Sequence, residues 1–257
     1  WFEAGEGPRL SPVLKDDMSK VAELSVDNID ATLAPVYETV RRVREGLPAD
    51  KALIGFAGAP WTVATYMLAG QGSKDPSALR MTAYEHPEEF RKLIDLLTAS
   101  TTEYLIRQVE AGADAVQLFD SWSAGLPEDL FMEACVEPVK RIAAEVKART
   151  DVPVIAFPKG SGPAYQTVAA LKDVDGVSID TGLPWEWAAE NLSSHGAVQG
   201  GLDQLLVVNG GDRLFASTDR LLQAFSGKPF IFNVGHGFVP QTPPENVAAL
   251  VKHIRGR

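Results

Sequence analysis

Several short segments of this sequence place polar side chains directly after an apolar run, among glycines and aromatics. Gly55 to Gly70 reads G-F-A-G-A-P-W-T-V-A-T-Y-M-L-A-G and brings Trp61, Thr65 and Tyr66 together where a loop passes into a helix. Gln117-Leu118-Phe119-Asp120-Ser121-Trp122 ends in a carboxylate and a hydroxyl flanked by aromatics. Phe157-Pro158-Lys159-Gly160-Ser161-Gly162 sets one cation in a glycine-rich loop, an arrangement suited to a carboxylate or phosphate. Asp180 with Thr181, and Gly200, Gly201 and Asp203, follow two further apolar runs. Asn233-Val234-Gly235-His236-Gly237 isolates a histidine between glycines, with little apolar side chain beside it to pack against. That setting favours a ligand or catalytic role over a plain turn.

These groups suit ligand binding better than metal or nucleophile chemistry. His86, His195 and His253 form no H-x-H, H-E-x-x-H or paired-cysteine pattern, so no metal site is expected. No G-x-S-x-G nucleophile elbow occurs. Cys135 falls mid-helix and reads as a core residue. Ordinary structural roles stay open as well: Trp61 and Tyr66 packing in the core, Ser121 or Ser123 satisfying loop amides.

The elements that would position these groups alternate regularly. Apolar runs at Leu53–Phe56, Asp114–Phe119, Val152–Phe157, Val174–Ile179, Ala197–Gly200 and Phe230–Val234 read as strands. Helices are expected over Ile29–Gly46, Thr62–Leu68, Ser77–Met81, Pro87–Glu110, Pro127–Arg149, Pro163–Leu171, Trp185–Leu192, Asp212–Phe225 and Pro243–His253. Thr242, Pro243 and Glu245 have the spacing of a capping box. The opening segment, Trp1 to Asp27, reads as a loop or short hairpin leading into a short helix. Strands alternating with helices imply a parallel sheet, hence an α/β fold. With no G-x-G-x-x-G after the first strand and no P-loop, a nucleotide-binding open sheet is unsupported. The expectation is a (β/α)8 TIM barrel, with about six of its eight βα units in this chain and residues 1–257 forming one domain. In such a barrel the loops after the strands gather at one mouth, so Tyr66 and His236 should share a pocket with Ser121 and Phe119 on its wall, and Asp120 should project beside Ser121.

Composition narrows the classes further. A hydrophobic fraction of 45% with 23% charged residues is ordinary for a globular protein. No apolar run approaches the roughly 20 residues that span a bilayer, and no signal-peptide pattern opens the chain. A net charge of −10 argues against nucleic-acid binding. One cysteine excludes an internal disulfide and fits a reducing cytosol, so a cytoplasmic location is expected.

Taken in order, the motifs resemble those of the uroporphyrinogen decarboxylases. The Gly55–Gly70 segment is similar to the family's G-F-x-G-x-P-W-T-x-x-T-Y-M. Phe2-Glu3-Ala4-Gly5-Glu6-Gly7-Pro8 is similar to its G-E-G-P turn. Gln117–Trp122, Phe157–Gly160, and Phe232–Gly237 followed by Thr242–Val247 match three more of its patterns. Gln199-Gly200-Gly201-Leu202-Asp203-Gln204 departs from the usual Q-G-N-L-D-P. The resemblance implies that Tyr66, Ser121 and His236 contact substrate and that Phe119 lines the pocket. It implies removal of four acetate carboxyls from uroporphyrinogen III to give coproporphyrinogen III, without metal or cofactor, the substrate's pyrrole serving as electron sink. It also implies a homodimer in the cytoplasm.

Two family segments have no counterpart in the sequence: R-Q-A-G-R-Y, whose arginines hold carboxylates, and F-S-D-I, whose aspartate faces the pyrrole N–H groups. With two strands unaccounted for and no initiator Met, the resemblance implies a chain that begins inside a longer protein, with its catalytic aspartate upstream of Trp1 and no turnover expected from residues 1–257 without that segment. Two rivals stand beside this reading. A corrinoid-linked methyltransferase of the same superfamily would need a His-plus-two-Cys zinc site that one cysteine cannot supply. The other rival is a non-catalytic barrel remnant that binds porphyrinogens.

Overall fold

The computed structural model describes residues 9–72 and 76–256. The G-E-G-P turn therefore lies outside the described residues. The chain divides into two compact units, one of residues 1–161 with 171–174, the other of residues 162–170 with 175–257.

In the first unit, β1 (Ile54–Gly58), β2 (Ala115–Asp120) and β3 (Val154–Pro158) pair in parallel, with Gly55 opposite Val116 and Phe119 opposite Phe157. The period of two decides the faces. Gly55 and Ala57 are buried, whereas Ile54 and Phe56 on the other face remain 42% and 59% exposed. The long α4 (Pro87–Glu110) lies on the face of Gly55, and α1 (Ile29–Gly46), α2 (Pro60–Ala69) and α3 (Ser77–Glu85) precede it in the chain. Gln108 of α4 reaches back to β1, accepting from the Phe56 N–H and donating to the Phe56 carbonyl, each at 3.0 Å. Its amide thus stands in for a neighbouring strand at one residue of β1.

The helix expected over Pro127–Arg149 is interrupted. It forms as α5 (Glu128–Phe131), a π turn (Met132–Val136) and α6 (Glu137–Arg149). The Glu137 N–H donates to the Met132 carbonyl, five residues back, and Pro138 follows without an N–H to give. A proline at that point removes an ordinary helical bond, and the wider turn absorbs the defect. The segment before α1 forms two 3₁₀ turns, Leu14–Asp16 and Met18–Glu23.

In the second unit, β4 (Gly176–Ile179), β5 (Ala197–Gly200) and β6 (Phe230–Ile231) are also parallel. Its helices are α7 (Tyr165–Ala169), α8 (Trp185–Asn191), α9 (Gln204–Asn209), α10 (Gly211–Ala224) and α11 (Pro244–Arg255). They bury Ile179, Leu192, Val198, Leu214 and Leu221 at their centre. Three expectations need correction here. Strand β6 stops at Ile231, and Val234 returns to the sheet only as an isolated bridge to Leu202. Helix α9 has no counterpart in the sequence reading; Asp203 caps it by accepting from the Leu205 N–H at 2.9 Å, a structural task for a residue grouped above with the candidate loop groups. The capping box before α11 does not form, since the helix is capped at Pro243 and the Thr242 hydroxyl has no partner among the described residues.

Candidate active site

Tyr66, Phe119 and Ser121 belong to the first unit and His236 to the second. In the first unit the site is built where the start of α2 meets the loop after β2. Pro60 occupies the first turn of α2, where its missing N–H costs nothing. Trp61, next in line, is fully buried, and its indole Nε1 donates to the Trp122 carbonyl at 2.9 Å. Thr62 donates to Asp120 Oδ1 at 2.8 Å. One helical turn beyond Thr62, the half-buried Tyr66 meets the Trp122 ring edge-on, with centroids 6.3 Å apart. Gly72 leaves room for the other side of that ring; a Cβ there would stand 2.3 Å from a Trp122 carbon.

Asp120 does not project beside Ser121 as expected. As an even position of β2 it shares the helix-covered face with Val116 and Leu118, and it is only 2% exposed. Burial pushes its carboxyl up to about 6; the neighbouring Cys135 thiol and Thr62 hydroxyl offset this only in part. Oδ2 accepts no hydrogen bond among the described residues. Burial, reinforced by the Asp120 charge, also pushes the Cys135 thiol well above its usual range, so this cysteine is inert and belongs to the core. Ser123 takes the structural role considered above: its buried hydroxyl lies 3.0 Å from the carbonyl oxygens of Asp120 and Lys159 and joins the loops after β2 and β3. The Lys159 N–H donates to the Asp120 carbonyl at 3.2 Å. Ser121, between these anchored neighbours, is half-buried.

The opposite face of the strands carries a row of phenyl rings. Phe119 meets Phe56 edge-on at 6.0 Å and Phe157 edge-on at 5.9 Å. Phe56 and Phe157 were not singled out from the sequence, although the strand alternation places Phe56 on the open face.

In the second unit, His236 is exposed. Its loop is pressed against the end of β4, because a Cβ on Gly235 would stand 2.7 Å from the Thr181 nitrogen. The Gly235 N–H donates to the Leu202 carbonyl at 2.7 Å. Asp180 accepts from the Tyr165 hydroxyl at 2.7 Å and from the Gly182 N–H at 2.7 Å, which fixes the loop that Gly235 touches. Among the described residues no group of three or more histidine, cysteine, aspartate or glutamate side chains could hold a metal ion, and no helix is long and apolar enough to cross a membrane.

The strand–helix alternation and the parallel pairing within each unit define an α/β protein with the candidate groups at strand ends. A methyltransferase from Methanosarcina mazei shares this fold with a TM-score of 0.74 at 18% identity, covering 97% of this chain and 71% of that one. A B12-independent methionine synthase from a Shewanella species shares it with a TM-score of 0.58 at 11% identity, over 86% of this chain and 66% of that one. The sequence is more specific. The family model described as Uroporphyrinogen decarboxylase (URO-D) matches residues 1–257. The uroporphyrinogen decarboxylase of Rhodospirillum rubrum is 47% identical over 255 residues, 99% of this chain and 73% of that protein. That of Paracoccus denitrificans is 48% identical over 258 residues, all of this chain and 75% of that protein. The chain belongs to the uroporphyrinogen decarboxylase family.

Proposed function

We propose that the chain is a carboxy-lyase that removes the four acetate carboxyls of uroporphyrinogen III to give coproporphyrinogen III. The observation that carries this reading is identity of 47–48% to proteins of that name over essentially the whole chain. The geometry supports it, because a large, partly apolar, polyanionic substrate needs both an aromatic wall and polar groups at its edge. Phe119, with Phe56 and Phe157 beside it, would face the macrocycle. Tyr66, Ser121 and His236 would hydrogen-bond its carboxylates or ring nitrogens. In each round a pyrrole carbon takes a proton, the C–C bond to one carboxylate breaks, and its electron pair returns to the charged ring as CO₂ leaves. Protonation of the resulting methylene, with loss of the proton first added to the ring carbon, yields a methyl group on a restored pyrrole. The protein's part is to bind, orient and stabilise the ring cation. The substrate supplies its own electron sink, so the proposal includes no cofactor or metal. Residues 1–257 are taken to act as one barrel-type domain, in a cytoplasmic homodimer with no nucleic-acid or membrane partner.

The site assignment is tested by Tyr66→Phe and His236→Asn in a decarboxylation assay with uroporphyrinogen III. Each should lower kcat/KM about ten- to a hundredfold, the effect of losing one hydrogen bond to a charged group, while thermal unfolding changes little. Undiminished turnover in both variants contradicts the assignment.

A further inference from the structure

Asp120 poses a question that substrate contact does not answer. It lies on the helix-covered face, only 2% exposed, with one carboxyl oxygen lacking any hydrogen bond among the described residues. Among the described residues no lysine, arginine or histidine acts on its ionisation. A buried carboxyl without a cation is unfavourable, and it persists where something else depends on it. The groups that face it are the Thr62 hydroxyl on α2 and the Cys135 thiol on the π turn. Lys159 of the β3 loop meets it through the backbone, its N–H 3.2 Å from the Asp120 carbonyl.

What depends on Asp120 follows from its neighbours. Ser121 is the next residue along the chain. Thr62 sits one helical turn before Tyr66 on the same side of α2. The bond from Thr62 Oγ1 to Asp120 Oδ1 therefore ties the strand end that bears Ser121 to the helix that bears Tyr66. A second tie, from Trp61 Nε1 to the Trp122 carbonyl, joins the same helix to the backbone on the far side of Ser121, so the Thr62–Asp120 bond is the one of the two that ends on a side chain of the strand itself.

We propose that Asp120 is a positioning residue: through Thr62 it sets the spacing between Ser121 and Tyr66, so that the two hydroxyls meet one substrate in fixed register. The inference rests on the reading of Tyr66 and Ser121 as substrate contacts. Asp120 itself touches no substrate, and its effect belongs on kcat. A misplacement of even one ångström in a positioned group can cost about a hundredfold in rate.

The experiment combines kinetics with NMR on the full chain. Asp120→Asn keeps the shape and one acceptor but loses the charge, and Thr62→Val removes the donor. Each should lower kcat about ten- to a hundredfold with KM little changed. Thr62→Ser should restore turnover. The double variant should be no worse than Thr62→Val alone, because Asp120→Asn only weakens the interaction that Thr62→Val removes. In the unsubstituted protein, titration of the Asp120 carboxyl should move the backbone amide resonances of Ser121 and Tyr66 with one shared midpoint. In Asp120→Asn that shared movement should vanish. This readout needs no substrate, so it separates the two claims: shared midpoints without decarboxylation sink only the reading of function. Decarboxylation with independent or absent amide shifts sinks the positioning role, as do additive kinetic losses or full kcat in Asp120→Asn. Should Asp120→Asn fail to fold, Thr62→Val and the titration decide the matter alone.

Discussion

The indole of Trp61, fully buried at the start of α2, donates to the backbone carbonyl of Trp122 across 2.9 Å. Two residues 61 positions apart are thereby joined at the place where a helix start meets the end of a strand. The Trp122 ring in turn packs against Tyr66. One buried hydrogen bond thus helps decide where a candidate substrate-binding phenol stands.

Trp61→Phe retains an aromatic ring and removes the donor. Leaving the Trp122 carbonyl unpaired should destabilise the protein by about 1–3 kcal/mol. Urea unfolding checks this, and the near-ultraviolet circular dichroism of the Trp122–Tyr66 pair should change with it. Wild-type stability in this variant means that the carbonyl finds another donor at no cost.

Gly235→Ala should impair the His236 loop. The added methyl carbon meets the Thr181 nitrogen at 2.7 Å, which is backbone and cannot swing aside. Overpacking of this kind costs about 1–3 kcal/mol, but Gly235 lies in a loop that can shift to relieve it. The expected outcome is a modest fall in melting temperature with a disproportionate loss of kcat/KM. A parallel loss of both would make Gly235 a purely structural residue.

Asp120 should leave a signature in stability against pH. Its carboxyl titrates near 6 in the folded protein, against 3.8 for an ordinary aspartate. Below the lower value both states are protonated and burial carries no penalty. Between the two values the folded chain keeps a proton that the unfolded chain has released, so stability falls as pH rises. Above about pH 6 the loss is complete, at about 3 kcal/mol. Asp120→Asn removes the charge, so its stability relative to wild type should rise from pH 4 to pH 6 and then level off. A pH-independent difference in urea unfolding would contradict the buried, cation-free carboxyl.

Much of this architecture is legible in the sequence because its causes are local. Helix α1 spans Ile29–Gly46 and α4 spans Pro87–Glu110, as apolar spacing and an N-terminal proline predict. The alternation of strand and helix gives the α/β class. What escapes the sequence depends on faces and on chain crossings. Asp120 reads as a strand-end carboxylate beside Ser121, but strand alternation turns it towards Thr62 and Cys135. The π turn was hidden because Met132–Val136 has ordinary helical composition and the cause, Pro138, lies just beyond it. Helix α9 is short, six residues between the Asp203 cap and Gly210, too brief for an apolar period to show in the sequence. Phe56 carries no signal in the sequence beyond its place in a strand; its exposure and its contact with Phe119 mark it as part of an aromatic wall.

Uroporphyrinogen III carrying ¹³C in its acetate carboxyls, incubated with the full-length protein under reducing conditions, reports product and gas together. The account predicts labelled CO₂ in a ratio of four to each coproporphyrinogen formed, the propionate carboxyls remaining intact. Unlabelled CO₂ from the propionates, or substrate recovered unchanged from a folded protein, would contradict it.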